Sequence, residues 1–332
     1  MIFPILNLKK VIMKKIKNLY DAINANVSLA VVGRDAAVKY LTASLICGGH
    51  VIITDVPGTG KTLLTKSLAA SLSLSFSRIQ FTPDLMPSDI TGIRYFNMKT
   101  QEFEFLPGPV FANVVMADEI NRATPKTQAG MLECMAEHQV TVDGELHPLP
   151  SPFMVIATQN PIEASGVYEL PEAQLDRFLV SVSTGLPSHS QTVEILKKYD
   201  KTKQAPALSP VAGEDDVKAA QRELDEIYVS DAVFSYIVDI CEATRRAEGV
   251  ELGASPRAAL ALLKVSKCFA GISGREYLLP DDVKECAVNV LAHRLVLSAT
   301  AALKPGAAEK TVKDALDRTP APTEDPSSYK IK

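Results

Sequence analysis

The chain lacks four things, and each absence removes a class of function. It has no Cys-x-x-Cys pair: Cys47, Cys134, Cys241, Cys268 and Cys286 are scattered without metal-ligand spacing. That pattern excludes a disulfide framework or a zinc ribbon and fits reduced, buried thiols in a cytoplasmic protein. No apolar run is long enough to span a bilayer. The N-terminus lacks the order of a secretion signal, because Lys9 and Lys10 follow its mildly apolar stretch instead of preceding it. Positive charge is not in excess either. The formal net charge of −4 disfavours indiscriminate binding to a phosphate backbone.

What remains is an ordinary globular composition, 46% hydrophobic and 22% charged, in a chain too long for one core. Two domains are expected, and the sequence pattern divides accordingly. Strand-like runs at 51–54, 114–117 and 153–157 alternate with helical stretches at 36–48, 61–73 and 124–137. Alternation of that kind implies an α/β core with a parallel sheet. Hairpins are expected at 93–105 and at 139–149, the second turning at Asp143-Gly144. From about residue 190 helical periodicity dominates, as in a separate all-α domain. The tail from Thr319, rich in Pro, Thr and Ser, reads as disordered.

Residues 51–62, Val-Ile-Ile-Thr-Asp-Val-Pro-Gly-Thr-Gly-Lys-Thr, have the layout of a phosphate-binding loop. An apolar strand feeds a glycine-rich turn whose N–H groups can close around phosphate oxygens. The next helix adds the positive end of its dipole, Lys61 can reach the outer phosphates, and the Thr62 hydroxyl can bind Mg²⁺. The usual pattern begins with glycine where this chain has Asp55, so on its own the fragment could also be a plain strand-to-helix turn.

Three later segments bear on that choice. Asp118-Glu119 ends a buried strand, where one carboxylate can hold Mg²⁺ and the next can polarise a water; a solvated loop pair is the alternative. Asn160, in Ala-Thr-Gln-Asn-Pro, would stand at the carboxyl edge of the sheet, or simply open an Asn-Pro turn. Arg177, in Leu-Asp-Arg-Phe, could neutralise transition-state charge at a neighbour's nucleotide, or pair on its own surface. Arg257, in Ser-Pro-Arg at a helix start, could close over phosphates or form a helix-surface ion pair.

Together these segments resemble the AAA+ ATPases and, more narrowly, the MoxR family. The long matches are 108–128, around Ala-Asp-Glu-Ile-Asn-Arg-Ala-Thr-Pro-Lys-Thr-Gln, then 168–178 and 253–258, and the likeness spans roughly 15–300. The resemblance implies a nucleotide-binding αβα domain over 1–188 with a helix-2 insert at about 81–107 and a pre-sensor-1 hairpin at about 139–149. A helical lid over 189–318 and a tail at 319–332 would follow. It assigns ATP contacts to Gly33, Pro57, Gly58, Thr59, Gly60, Lys61, Thr62, Leu63 and Asp118, and Mg²⁺ to Thr62 and Asp118. It makes Glu119 the catalytic base, Asn160 sensor 1, Arg177 the arginine finger and Arg257 sensor 2. It further implies a ring, as a hexamer, and chaperone-like remodelling of a partner such as a von Willebrand factor A domain protein, sometimes with metal insertion. Two rivals stand beside it: a DNA-acting ring, and a nucleotide-gated scaffold with little turnover. The insert hairpins carry few basic residues, Arg94 and Lys99 against Glu102 and Glu104 on one and none on the other, which is poor material for DNA.

Overall fold

Three apolar runs form the centre of a five-stranded sheet in this computed structural model, which describes residues 14–56, 58–160, 166–200 and 206–323. In chain order the elements are α1 (Lys15–Ser28), α2 (Asp35–Ile46), β1 (Val51–Thr54), α3 (Lys61–Ala70), β2 (Phe76–Gln80), α4 (Pro87–Thr91), β3 (Gly92–Asn97) and β4 (Glu102–Pro107). Then come β5 (Val114–Asp118), α5 (Pro125–Glu137), β6 (Gln139–Val142), β7 (Glu145–Pro148), β8 (Met154–Gln159), α6 (Glu172–Leu175) and β9 (Val180–Val182). The rest are α7 (His189–Tyr199), α8 (Glu214–Glu226), α9 (Asp231–Arg245), β10 (Val250–Leu252), α10 (Pro256–Ile272), α11 (Pro280–Leu291), β11 (Val296–Leu297), α12 (Ala299–Ala302) and α13 (Ala307–Arg318).

The sheet runs β2-β5-β8-β1-β9, all parallel. β5 is buried along its whole length, and β1 and β8 are buried except at their last residue. A parallel strand covered on both faces needs apolar side chains on both, so it reads as an unbroken run instead of an alternation. Beside the sheet, Phe81, Met131, Leu132, Phe153 and Phe178 close one core with Ile52, Val115 and Val155.

The described residues form two compact units, 18–221 and 14–17 with 222–323. In the second unit α9 buries Val233, Ile237 and Ile240, α10 buries Leu262, Val265 and Phe269, and α11 buries Val283, Ala287 and Val290. The three- and four-residue spacing puts each set on one helix face.

Several elements depart from the sequence expectation. β2 and β9 complete the sheet although neither was expected. β2 is an edge strand carrying Arg78 and Gln80, and β9 has only three residues. The helical unit also holds one short antiparallel pair, β10 with β11. The helical periodicity expected from about residue 190 onward breaks after Leu291, where α11 ends. Thr319, expected to open a disordered tail, caps α13 instead: it is buried, and its hydroxyl donates to the Ala315 carbonyl. Residues 324–332 of that tail lie outside the described residues.

Both expected hairpins are present, β3 with β4 and β6 with β7, and Asp143 and Gly144 take the positive φ values of a tight hairpin turn. They meet each other. Phe105 stacks on His147 at 4.0 Å, and Arg94 pairs with Glu145 at 3.3 Å. Cys134, Cys241, Cys268 and Cys286 are buried free thiols and Cys47 is half-buried. No helix among the described residues is long and apolar enough to cross a membrane.

Candidate nucleotide site

Strand pairing decides what the site contains. Thr54 of β1 pairs with Gln159 of β8, Ala117 of β5 with Ala157 of β8, and Gln80 of β2 with Asp118 of β5. The residues following β1, β5 and β8 therefore leave the sheet side by side at its carboxyl edge, where ligands of open parallel sheets bind.

The loop after β1 turns on two glycines. Gly58 and Gly60 have φ of 82° and 86°, and a Cβ on either would meet nothing within 4 Å. Glycine is needed there for its conformation, not for space. Gly60 also precedes the first turn of α3 without a side-chain cap, so that turn's N–H groups are not capped by a side chain from this position. Lys61 donates from Nζ to the Asp55 carbonyl at 2.8 Å, and the Thr59 hydroxyl donates to the Val56 carbonyl at 3.2 Å. Thr62 and Leu63 follow, half-buried, in that first turn. Pro57 lies outside the described residues.

Asp118 is buried, and both of its carboxylate oxygens are engaged. Oδ1 accepts from the Thr158 hydroxyl at 2.6 Å, and Oδ2 accepts from Arg78 at 2.6 and 3.2 Å. Glu119 sits at φ 57°, ψ 49°, a left-handed conformation that non-glycine residues adopt only when their surroundings impose it. Its N–H donates to the same Thr158 hydroxyl at 2.9 Å. Its carboxylate accepts from Gln80 at 2.7 Å and pairs with Arg122 at 3.1 Å. Asn160, buried, follows Gln159, whose carbonyl accepts from the Asp55 N–H at 3.3 Å.

Asp55, the departure from the usual loop pattern, is 4% exposed. Its carboxylate accepts from the Ser183 hydroxyl, the Thr184 N–H and the Thr184 hydroxyl, each at 2.7 Å, and from the Gly185 N–H at 3.1 Å. Burial pushes this carboxyl up, and the donors from Thr184, Ser183 and Gly185 together bring it below the ordinary carboxylate value. Arg34 joins the cluster, donating to the carbonyls of Thr184, of Gly185 at 2.9 Å and of Thr59 at 3.2 Å. Burial lowers its pKa, against the pull of Asp55. Gly33, at φ 66°, lies so close to Gln191 that an added Cβ would sit 2.1 Å from its amide nitrogen.

Two candidates stand elsewhere. Arg177 precedes β9, and Val180 of that strand pairs with Val51, the first residue of β1. It therefore belongs to the amino edge of the sheet, opposite Lys61. It is exposed and donates to the Leu132 carbonyl at 2.5 Å. Arg257 lies in the second unit, exposed, at the start of α10 behind the N-cap Ser255. Sequence reasoning missed Arg78, Gln80 and Thr158 as contacts of the two carboxylates, and Ser183 and Thr184 as partners of Asp55. The polar positions in β2 and β8 were the available signal.

The chain is similar to known proteins over most of its length. The family described as "ATPase family associated with various cellular activities (AAA)" matches residues 50–180, and the AAA lid domain matches 242–317. The chain is 44% identical to the uncharacterized YeaC of Bacillus subtilis, over 88% of this chain and 91% of that one. It is 42% identical to Chaperone MoxR1 of Mycobacterium tuberculosis, over 81% of this chain and 73% of that one. It is 30% identical to Protein MoxR of Paracoccus denitrificans, over 81% and 86%. The crystal structure of a candidate ATPase from Cytophaga hutchinsonii superposes with a TM-score of 0.88 at 34% identity, over 96% of this chain and 99% of that one. By its identity to these relatives over most of its length, the chain belongs to the MoxR family of AAA+ ATPases.

Proposed function

We propose that this chain hydrolyses ATP at subunit interfaces of a ring and uses the cycle to remodel a partner protein. The observation that supports it best is the split between the two sheet edges. Lys61, Asp118, Glu119 and Asn160 share the carboxyl edge, while Arg177 belongs to the amino edge. A site built this way has its phosphate-binding and water-activating groups in one subunit and lacks only a cation that a neighbour could bring.

In this reading the N–H groups from Gly58 to Leu63 cradle the phosphates, aided by the dipole of α3, and Lys61 neutralises their outer oxygens. Thr62 offers a hard oxygen donor, and Asp118, whose oxygens already accept from Thr158 and Arg78, would hold the ion through its water shell. Among the described residues no group of three or more His, Cys, Asp or Glu could hold a metal by itself. That donor set fits Mg²⁺, which is ordinarily held by one or two protein oxygens together with substrate phosphates. Bound there, Mg²⁺ would neutralise charge on the phosphate oxygens. Glu119 takes the proton of the attacking water, and Asn160 orients that water. Arg177 arrives from the next subunit, and Arg257 adds charge from the helical unit.

Kinship with Chaperone MoxR1 supports a chaperone-like role. A von Willebrand factor A domain partner, metal insertion, a hexameric ring and a cytoplasmic location rest on the family resemblance; the free, mostly buried thiols fit a reducing compartment. The test is Mg²⁺-dependent ATP turnover per subunit against protein concentration. A rate that rises and then saturates is expected. ATP binding with no turnover at any concentration would overturn the hydrolase reading in favour of a nucleotide-gated scaffold.

A further inference from the structure

We infer that Asp55 is a positioning residue for the phosphate loop: with Arg34 it holds the loop to residues 183–185 in the shape that receives a triphosphate. The inference rests on the nucleotide reading of the site and concerns the one loop position where this chain departs from the general pattern.

The argument starts from the backbone. Asp55 is not among the positive-φ residues of the described chain, whereas Gly58 and Gly60 are. Glycine is therefore required at 58 and 60 but not at 55, which leaves position 55 free to carry a side chain. That side chain is fully used. Four donors from three consecutive residues converge on its two oxygens.

The main chain of the same residue is used as well. Its carbonyl accepts from Lys61 Nζ, and its N–H faces the Gln159 carbonyl of β8. One residue thus ties together the start of the loop, the loop lysine, the neighbouring strand and the segment after β9. Arg34 supplies a second tie from that segment to the middle of the loop, at the Thr59 carbonyl.

A glycine-rich loop without such ties must be ordered when ligand arrives, and the lost conformational freedom opposes binding. A loop ordered beforehand avoids that cost. A buried carboxylate beside a triphosphate would otherwise repel it. Here the four donors satisfy the carboxylate, and its charge interacts favourably with Arg34.

The consequence runs against the pattern: Asp55→Gly, which restores the usual glycine, should weaken nucleotide binding. The test is titration of the full chain with a fluorescent ATP analogue, together with steady-state ATP turnover. Asp55→Gly should raise Kd by about tenfold or more. KM should rise with it, while kcat at saturation changes by less than about threefold, because uniform binding is lost and not transition-state stabilisation. Asp55→Asn, which keeps one acceptor oxygen, should fall between.

Adding Arg34→Gln to Asp55→Gly should cost less than the two single effects combined, since both tie the same loop. If Asp55→Gly does not fold, Ser183→Ala and Thr184→Val each remove a hydroxyl donor and should each raise Kd measurably. Wild-type protein that fails to bind the analogue would overturn the nucleotide reading itself. Wild-type binding with equal or tighter binding by folded Asp55→Gly would overturn the positioning role alone. So would unchanged Kd in both hydroxyl variants, or strictly additive effects in the double variant.

Discussion

At the scale of single residues, the proposed roles separate binding from turnover. Lys61 stands in the first turn of α3 with its ammonium on the Asp55 carbonyl, at the mouth of the loop. Lys61→Ala removes the positive charge aimed at the outer phosphates, and loss of ATP binding is the expected result in an equilibrium titration. Glu119→Gln is different. An amide oxygen can still accept from Gln80 and Arg122, so these neighbours keep an acceptor while the ion pair and the proposed base are lost. Binding should persist and turnover should fall by about 10²–10⁴-fold; turnover retained within threefold would remove Glu119 as the base.

A third residue bears on stability. His50 is buried, accepts from the Val155 N–H at Nδ1 and so must donate from Nε2 to the Met135 carbonyl. Burial holds its pKa down to about 4, against the ordinary 6.5. Between those values the unfolded chain binds the proton and the folded chain does not, so stability falls as pH falls from 6.5 towards 4. The full loss is about 3 kcal/mol. Denaturant melts across that window should show it, and His50→Gln should flatten it.

At the scale of elements, the two hairpins touch through the Phe105–His147 stack and the Arg94–Glu145 pair. Their outer surface exposes large apolar side chains among few charges of both signs. Met98 is 83% exposed and Phe103 62%, with Phe96 and Leu146 also open. Such a surface favours a protein partner over nucleic acid, and labelled duplex DNA should show no salt-sensitive shift with this protein. Met98→Ser should leave stability within about 0.5 kcal/mol in a denaturant melt, whereas Phe103→Ser should cost about 0.5–1.5 kcal/mol, because Phe103 packs edge-to-face on Phe96 across the hairpin.

The hairpins, the three buried strands and the loop glycines were legible in the sequence because each follows from local pattern: alternation, continuous burial or required φ. β2 was not legible, and the reason is physical. Arg78 and Gln80 interrupt its hydrophobicity because they hold Asp118 and Glu119, so the demands of the site mask the strand. The role of Asp55 was hidden for a related reason. What reads as a flaw in a motif is a residue whose partners, 183–185, lie more than a hundred positions away in sequence.

At the scale of the whole molecule, the sheet itself constrains how Arg177 can act. β1 spans four residues, three steps of about 3.3 Å, so its first and last residues stand about 10 Å apart. Lys61 lies beyond one end, and Arg177 lies before the strand paired with the other. Arg177 is therefore set apart from the proposed nucleotide site of its own chain, and it is exposed. If it completes the neighbour's site, Arg177→Ala should bind ATP normally and lose about 10³-fold or more in rate. Glu119→Gln should also be inactive, for a different reason: its own site lacks the base while its arginine is intact. Mixing the two inactive variants then places intact Glu119 sites beside intact Arg177 residues at some interfaces, and turnover should return to a measurable fraction of wild type. The fraction should depend on the mixing ratio and peak between the pure variants. No recovery at any ratio, in mixtures shown by light scattering to co-assemble, would mean that the arginine does not act across the interface.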